Sequence, residues 1–305
     1  MYHSHLLINL GDNPDREDWR NRNWLRNLYR VHQRLCMAFP SDTRIKNDPQ
    51  FLAPYCPDDF PEQRHLADQP ADAVAPNVLK NVHAPRGASQ GFLFRIDPRP
   101  GGGVVILVQS AVKPDWDYAF HNAGYLLVAH QVKPFDPCFT KGQHLQFRLL
   151  ANPTKRLSRN SREKDGRPVA ERWVGKRVPV PAQELYDWLA RRAELAGFSI
   201  VKDSTIIQPA YIYVNKPWNG AACHRCGGRM KENGQGEEVV CEQCGVRVWL
   251  LRHRLRSVRY DGTMTVTDPA RFEETLVRGI GPGKAFGFGL LSVAPVIPPL
   301  PAEAT

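Results

Sequence analysis

Along the chain the hydrophobic pattern alternates strands and helices in an order for which two successive units of strand, helix, strand, strand, helix, strand are the simplest arrangement. That order packs helices against an antiparallel sheet, so the simplest architecture is two successive α+β units. The first unit opens with a strand over Tyr2 to Asn9. A helix follows over Trp24 to Phe39, where Leu25, Leu28, Leu35, Cys36 and Phe39 recur at helical spacing. Strands are predicted at Phe92 to Ile96, Val104 to Gln109 and Tyr125 to Gln131, and the second helix of this unit is poorly marked. The second unit has strands at His144 to Leu150, Phe198 to Val201, Tyr211 to Val214, Val246 to Tyr260, Thr263 to Val266 and Phe288 to Pro295. Its helices are Pro181 to Ala196, with Leu185, Trp188, Leu189 and Leu195 on one face, and Pro269 to Arg278. Between Pro40 and Gly91 lie eight prolines and no periodicity, which reads as a loop-rich insertion with little regular structure. With 305 residues, two domains, 1–140 and 141–305, can each bury a core, and the tail Val296 to Thr305 is expected to fray.

The composition is that of a globular protein, 42% hydrophobic and 24% charged. No apolar run approaches the roughly 18 residues of a membrane span. The start Tyr2-His3-Ser4-His5 lacks the order of a secretory signal, so a cytoplasmic protein without a membrane partner is expected. Forty-one Lys and Arg stand against 31 Asp and Glu, a net charge of +10 that favours polyanionic partners, nucleic acid first.

Of seven cysteines, Cys36, Cys56 and Cys138 stand alone, whereas Cys223, Cys226, Cys241 and Cys244 form two C-x-x-C pairs. Four thiolates so spaced close a tetrahedral Zn²⁺ site, as in zinc ribbons, and Gly227 and Gly245 follow the two knuckles. All four positions are filled by protein, so one structural Zn²⁺ is expected in a small module over 218–248. Basic residues cluster elsewhere. Nine Lys or Arg lie between Lys155 and Arg177, Lys155, Arg156, Arg159, Lys176 and Arg177 among them, and suit a hairpin that clamps a phosphate backbone. Arg22, Arg26, Arg30 and Arg34 recur every four residues on the first helix, and Arg252, Arg254 and Arg256 alternate along a strand. A glycine-rich segment, Gly279 to Gly289, carries Gly281, Gly283 and Lys284 and lets backbone and an ammonium approach a phosphate. It is no P-loop, because the G-K-[ST] order is absent.

Tyr29 and His32 lie three apart on the first helix, beside the arginine stripe, and so are neighbours on one face. Such a set suits metal-free RNA strand scission, in which a base deprotonates a 2′-OH and an acid protonates the departing 5′ oxygen. On chemistry alone His32 reads first as an ordinary core or surface histidine.

Six segments together resemble one family. They are N-L-Y-R-V-H-Q-R-L (Asn27 to Leu35), V-Q-S-A-V-K-P-D-W (Val108 to Trp116), K-P-F-D-P (Lys133 to Pro137), F-R-L-L-A-N-P-T-K-R (Phe147 to Arg156), G-K-R-V (Gly175 to Val178) and the glycine-rich end. In this order they are similar to the CasE family of CRISPR repeat-processing endoribonucleases of type I-E systems. The resemblance implies two tandem ferredoxin-like domains, related to RNA-recognition modules. It implies cleavage of the CRISPR repeat hairpin in precursor crRNA without a catalytic metal, leaving a 2′,3′-cyclic phosphate and a 5′-OH. It also implies retention of the crRNA 3′ hairpin and assembly with other Cascade subunits. By position Tyr29 and His32 match the catalytic pair, and Lys155, Arg156, Lys176 and Arg177 match the hairpin that contacts RNA. Arg26, Arg30, Arg159, Gly281, Gly283 and Lys284 complete the expected RNA-binding set. The cysteine module is outside the family pattern and reads as an insertion. Two rival readings are a non-catalytic RNA-binding scaffold of the same fold and a zinc-ribbon DNA-binding protein. The first has no need of the Tyr29 and His32 pair, and the second leaves the glycine-rich end unexplained.

Overall fold

Strand β1 (Tyr2–Ile8) sits at the centre of an antiparallel sheet of order β2-β3-β1-β4, with β2 at Phe92–Pro98, β3 at Val104–Ser110 and β4 at Leu127–Pro134. The computed structural model describes residues 1–11, 19–40, 42–53, 91–99, 103–162, 166–215, 222–232, 238–249 and 252–296. Alternation along the strands fixes which face is buried. Leu6, Ile8, Phe94, Ile106 and Val108 turn to one side, where Val31, Leu35, Trp116 and Phe120 close a core.

The helix expected over Trp24 to Phe39 is two helices, α1 (Trp19–Arg26) and α2 (Leu28–Cys36). Asn27 breaks them apart: its backbone is non-helical, φ −94° and ψ 83°, and its side chain accepts the N–H of Arg30 at 3.2 Å. An Asn that caps the next turn competes with continuation of the preceding one. The predicted arginine stripe is therefore split, Arg22 and Arg26 on one helix, Arg30 and Arg34 on the other. The poorly marked second helix is α4 (Trp116–Phe120), capped by Asp115, whose side chain accepts from Tyr118 N, and continued by a 3₁₀ turn over His121–Leu126. A short helix α3 (Asp42–Asn47) lies in the Pro-rich stretch. Most of that stretch and nearly all of the tail fall outside the described residues.

The second sheet has the order β14-β5-β13-β8, with β9 also paired to β13. Its strands are β5 (His144–Ala151), β8 (Phe198–Ile200), β9 (Ile206–Asn215), β13 (Arg252–Val266) and β14 (Leu291–Pro295). Helices α5 (Leu185–Leu195) and α6 (Pro269–Arg278) cover one face, burying Leu145, Phe147, Leu149, Trp188, Leu189, Val258, Tyr260 and Phe272. Leu195, predicted on the buried face, is 71% exposed, and Ala193 points inward instead. Leu195 lies beside Trp188, Arg191 and Arg192 on the rim of a surface hollow.

Two strand expectations need correction. The segment Val246 to Tyr260 is divided, because Arg247–Trp249 (β12) belongs to a separate sheet, β10-β11-β12, with β10 at Met230–Glu232 and β11 at Glu238–Cys241. Conversely, Asp261 and Gly262 do not turn, and β13 runs unbroken through them. A Cβ on Gly262 would meet Ser204 O at 2.9 Å and Phe147 Cε1 at 3.2 Å, so glycine is what lets β13 pass at this point. Arg252 to Ser257 pair with β9 alone, forming a two-stranded arm that leads to the small sheet.

Side chains join the halves. Arg95, 3% exposed, binds Asp97 at 2.8 Å and donates to the carbonyls of Arg148 at 3.4 Å and Leu290 at 3.5 Å. Gln109 donates to Leu276 O and meets His3 Nε2 at 2.9 Å.

Candidate functional site

Helix α2 turns Val31, His32, Leu35 and Cys36 inward and leaves Tyr29 half-buried and Arg30 exposed. The Tyr29 and His32 rings are 6.5 Å apart between centroids, tilted by 57°. His32 packs against two aromatic rings: Phe92 lies at 5.3 Å, and Phe94 is stacked at 6.2 Å. Its Nε2 is 3.7 Å from Cys36 Sγ, one helical turn on. Burial, with a contribution from Cys36, raises the Tyr29 phenol above its ordinary value. Of the predicted stripe, Arg26 and Arg30 are exposed. Arg34 is not part of it: its Nη1 donates to Ala119 O and Asn122 Oδ1, each at 2.8 Å.

The glycine-rich segment reaches the same place from the second half. Residues Lys284–Phe286 form a 3₁₀ turn packed on α2. Gly287 lies over Phe94, the ring that backs His32, so close that a Cβ there would be 3.3 Å from it. Gly279 lies against Leu93, and Gly281 against Trp188. The segment is pinned by Ile280 N to Gly289 O at 2.9 Å and by Gly289 N to Leu150 O at 2.8 Å. Lys284 is part-buried, and burial and then Arg278 lower its pKa.

Beside it stands a two-stranded hairpin, β6 (Thr154–Arg156) with β7 (Arg177–Pro179). Trp188 Nε1 donates to Thr154 O at 3.3 Å, tying the base of the hairpin to the helix that Gly281 touches. Arg156 and Arg177 are exposed at its edge, and Lys176 lies 4.5 Å over the Trp173 ring. Two predicted contacts are engaged within the chain. Lys155 binds Glu184 at 2.8 Å, and Arg159 binds Glu171 at 3.1 Å. A hollow of about 520 Å³ beside the hairpin is lined by Lys155, Trp188, Arg191 and Arg192. The last two arginines were not singled out from sequence; their signal was only that they sit next to each other on the outer side of a helix.

The four paired cysteines come together at the end of the arm, all four sulfurs within 4.8 Å of one another. A tetrahedral Zn site with bonds of about 2.3 Å has S···S edges of about 3.8 Å. Cys223 to Cys244 at 3.6 Å and Cys226 to Cys241 at 3.4 Å fit that size. Backbone N–H groups point at the sulfurs, from Arg225 to Cys223 at 3.4 Å and from Cys244 to Cys241 at 3.5 Å. The latter bond holds the Cys241 thiol down at about 6. Four thiols so placed can hold a metal ion.

A family profile described as "CRISPR associated protein" matches residues 73–295. The chain belongs to this CRISPR-associated protein family. One relative is the "CRISPR-associated endoribonuclease Cse3" of Thermus thermophilus, 35% identical over 212 residues, 67% of this chain and 80% of the relative. Another is the "CRISPR system Cascade subunit CasE" of Escherichia coli, 26% identical over 213 residues, 68% of this chain and 84% of the relative. Among solved structures, "CRISPR endoribonuclease Cse3 bound to 19 nt RNA" superposes with a TM-score of 0.56 at 27% identity, covering 97% of this chain and all of that one. In this CRISPR-associated protein the helix that carries Tyr29 and His32 touches the turn of the glycine-rich segment, and Trp188 touches both Gly281 and Thr154 of the basic hairpin. The cysteine cluster stands apart at the end of the arm. Among the described residues no helix is long and apolar enough to cross a membrane.

Proposed function

We propose that the protein is a repeat-processing endoribonuclease that cuts the CRISPR repeat hairpin in precursor crRNA and stays on the product as a Cascade subunit. The observation that carries this reading is the junction of α2, the glycine-rich segment and the basic hairpin, in a chain of the Cse3 and CasE family. The hairpin and exposed arginines supply phosphate contacts. His32, beside Tyr29 on α2, supplies an imidazole that can take up or give a proton.

In the reaction a base removes the 2′-OH proton and the 2′ oxygen attacks the adjacent phosphorus. The bond to the 5′ oxygen breaks, and that oxygen takes a proton from an acid. The products are a 2′,3′-cyclic phosphate and a 5′-OH. His32 serves as base or acid, Tyr29 hydrogen-bonds the 2′-OH or the leaving oxygen, and Lys284 with Arg26 and Arg30 offsets charge on the phosphorane. No catalytic metal is required. Lys155, Arg156, Arg159, Lys176, Arg177, Gly281 and Gly283 hold the RNA, with Lys155 and Arg159 exchanging their glutamate partners for phosphate.

The two halves are read as tandem ferredoxin-like domains, 1–140 and 141–305. In the first half the last strand, β4, borders β1, and β3 lies between β1 and β2; in the second half β14 borders β5, and β13 lies between β5 and the edge made by β8 and β9, an arrangement that supports this reading. The segment 218–248 is read as an inserted zinc ribbon, which rests on the cysteine geometry. When bound, Zn²⁺ cross-links the two knuckles and adds stability, and the site leaves no position open for substrate. A cytoplasmic location accords with the crRNA substrate.

The scaffold reading has one observation on its side, the 6% exposure of His32. Repeat RNA with a single 2′-deoxy nucleotide at the scissile position separates the two, in excess EDTA. A nuclease cuts the all-ribose RNA at one site, leaves a cyclic phosphate and spares the deoxy RNA. Tight binding of both RNAs with no cutting establishes the scaffold.

A further inference from the structure

The arm made by β9 and the start of β13 carries a strip of aromatic and basic side chains that the cleavage site does not use. Register pairs Tyr211 with Arg256 and Tyr213 with Arg254, and residues directly opposite one another share a face. Val258 and Tyr260 continue that face into the core beneath α5, where Tyr260 Oη donates to Leu185 O at 3.2 Å. The strip is therefore the helix-side face of the second sheet, emerging from under its cover. Tyr211 is 49% and Tyr213 55% exposed. Arg254 lies 4.7 Å and Arg256 5.8 Å over the Tyr211 ring. β9 contains no acidic residue and β13 only Asp261, which lies five residues past Arg256 and is bound to Arg148 and Arg259. Arg256 donates to Val180 O, directly after the basic hairpin, and its buried Nε has no hydrogen-bond partner among the described residues. Hairpin and strip thus adjoin.

We propose that Tyr211 and Tyr213, with Arg254 and Arg256, form a subsite that stacks unpaired nucleotides flanking the repeat hairpin. The proposal rests on the RNA-cleaving reading above. Phosphates of a duplex need only cations, and bases within a duplex offer no free face. Exposed tyrosines interleaved with arginines suit single strands, whose bases stack on rings while guanidinium groups meet the backbone. Two residues along a strand span about 6.7 Å, so each ring offers its own foothold to successive bases.

The test compares two RNAs on the full metal-loaded chain by fluorescence anisotropy: the repeat hairpin alone, and the same hairpin with unpaired segments on both sides. Tyr211→Ala with Tyr213→Ala is expected to weaken binding of the flanked RNA roughly 10- to 100-fold. The same pair of changes leaves both affinity for the bare hairpin and its cutting at the wild-type level, which also shows that the variant is folded. Tyr211→Phe with Tyr213→Phe retains the rings and is expected to bind the flanked RNA as the wild type does. Arg254→Gln, which leaves both tyrosines in place, is expected to weaken the flanked RNA several-fold more than the bare hairpin. Equal binding of the flanked RNA by the Ala pair and the wild type overturns the proposal. So does equal loss for both RNAs with Arg254→Gln, or loss by the Phe pair as large as by the Ala pair. If the wild type cuts no repeat RNA, the cleavage reading fails, and the gain in affinity from the flanks still reports on this subsite.

Discussion

Tyr29 and His32 are neighbours because three residues of helix bring them together, but they sit in different environments. Tyr29 is half-buried on the outer side, and burial followed by Cys36 holds its phenol protonated beyond the usual range near pH 10. A raised folded-state pKa favours the neutral phenol. Its contribution is complete below the unfolded value and is lost only as pH rises through the raised one. A neutral Tyr29 phenol can donate a hydrogen bond at neutral pH, and cleavage between about pH 6 and 9 should show no limb from it. Tyr29→Phe should slow single-turnover cleavage on the order of 10²-fold with RNA affinity unchanged. A Phe variant cutting at the wild-type rate would remove Tyr29 from the chemistry. The proximity of the two rings was legible from spacing on one helix, and the role proposed for them rests on the family resemblance. The packing of His32 against Phe92 and Phe94 was not legible, because those rings arrive from a strand some sixty residues away, across the Pro-rich stretch. Arg34 misled for a related reason: a four-residue period places it on the stripe, but the carbonyls it binds lie 85 or more residues on.

Among elements, the glycine-rich segment is the one whose backbone conformation is most restricted. Gly279 has φ +70°, and a Cβ there would lie 2.8 Å from both Gly289 O and Leu93 Cδ1. Gly279→Ala should cost about 1 to 3 kcal/mol through strain and contact. The loss should appear as a lower Tm, with slower cutting because the loop backs Phe94 and thus His32. Unchanged Tm and rate would show that the loop relaxes freely. Regular elements with strong local signals were readable: β1, β3, β5 and α6 lie within a residue or two of expectation. Breaks and continuities were not. Asn27 stops a helix whose hydrophobic period runs straight through it. Asp261 and Gly262 look like a turn and lie mid-strand, since Gly262 answers to Phe147 and Ser204 rather than to its chain neighbours.

The molecule as a whole is two α+β halves stitched by Arg95 and Gln109, with the candidate site on one side of the seam and the cysteine module at the end of an arm. That separation makes a prediction. Stripping the metal with a strong chelator, or Cys241→Ser, should lower Tm and unfold the module while cutting of the bare hairpin persists at temperatures where the rest stays folded. Loss of hairpin cutting in step with metal loss would instead place the module in the active surface. The reading proposed for the cleavage step has His32 move a proton. Single-turnover cutting of the repeat hairpin by His32→Ala, with RNA affinity measured in parallel, tests it most directly. The expected result is a rate roughly 10² to 10⁴-fold below wild type with affinity unchanged. Cutting at the wild-type rate by this variant would exclude proton transfer by His32.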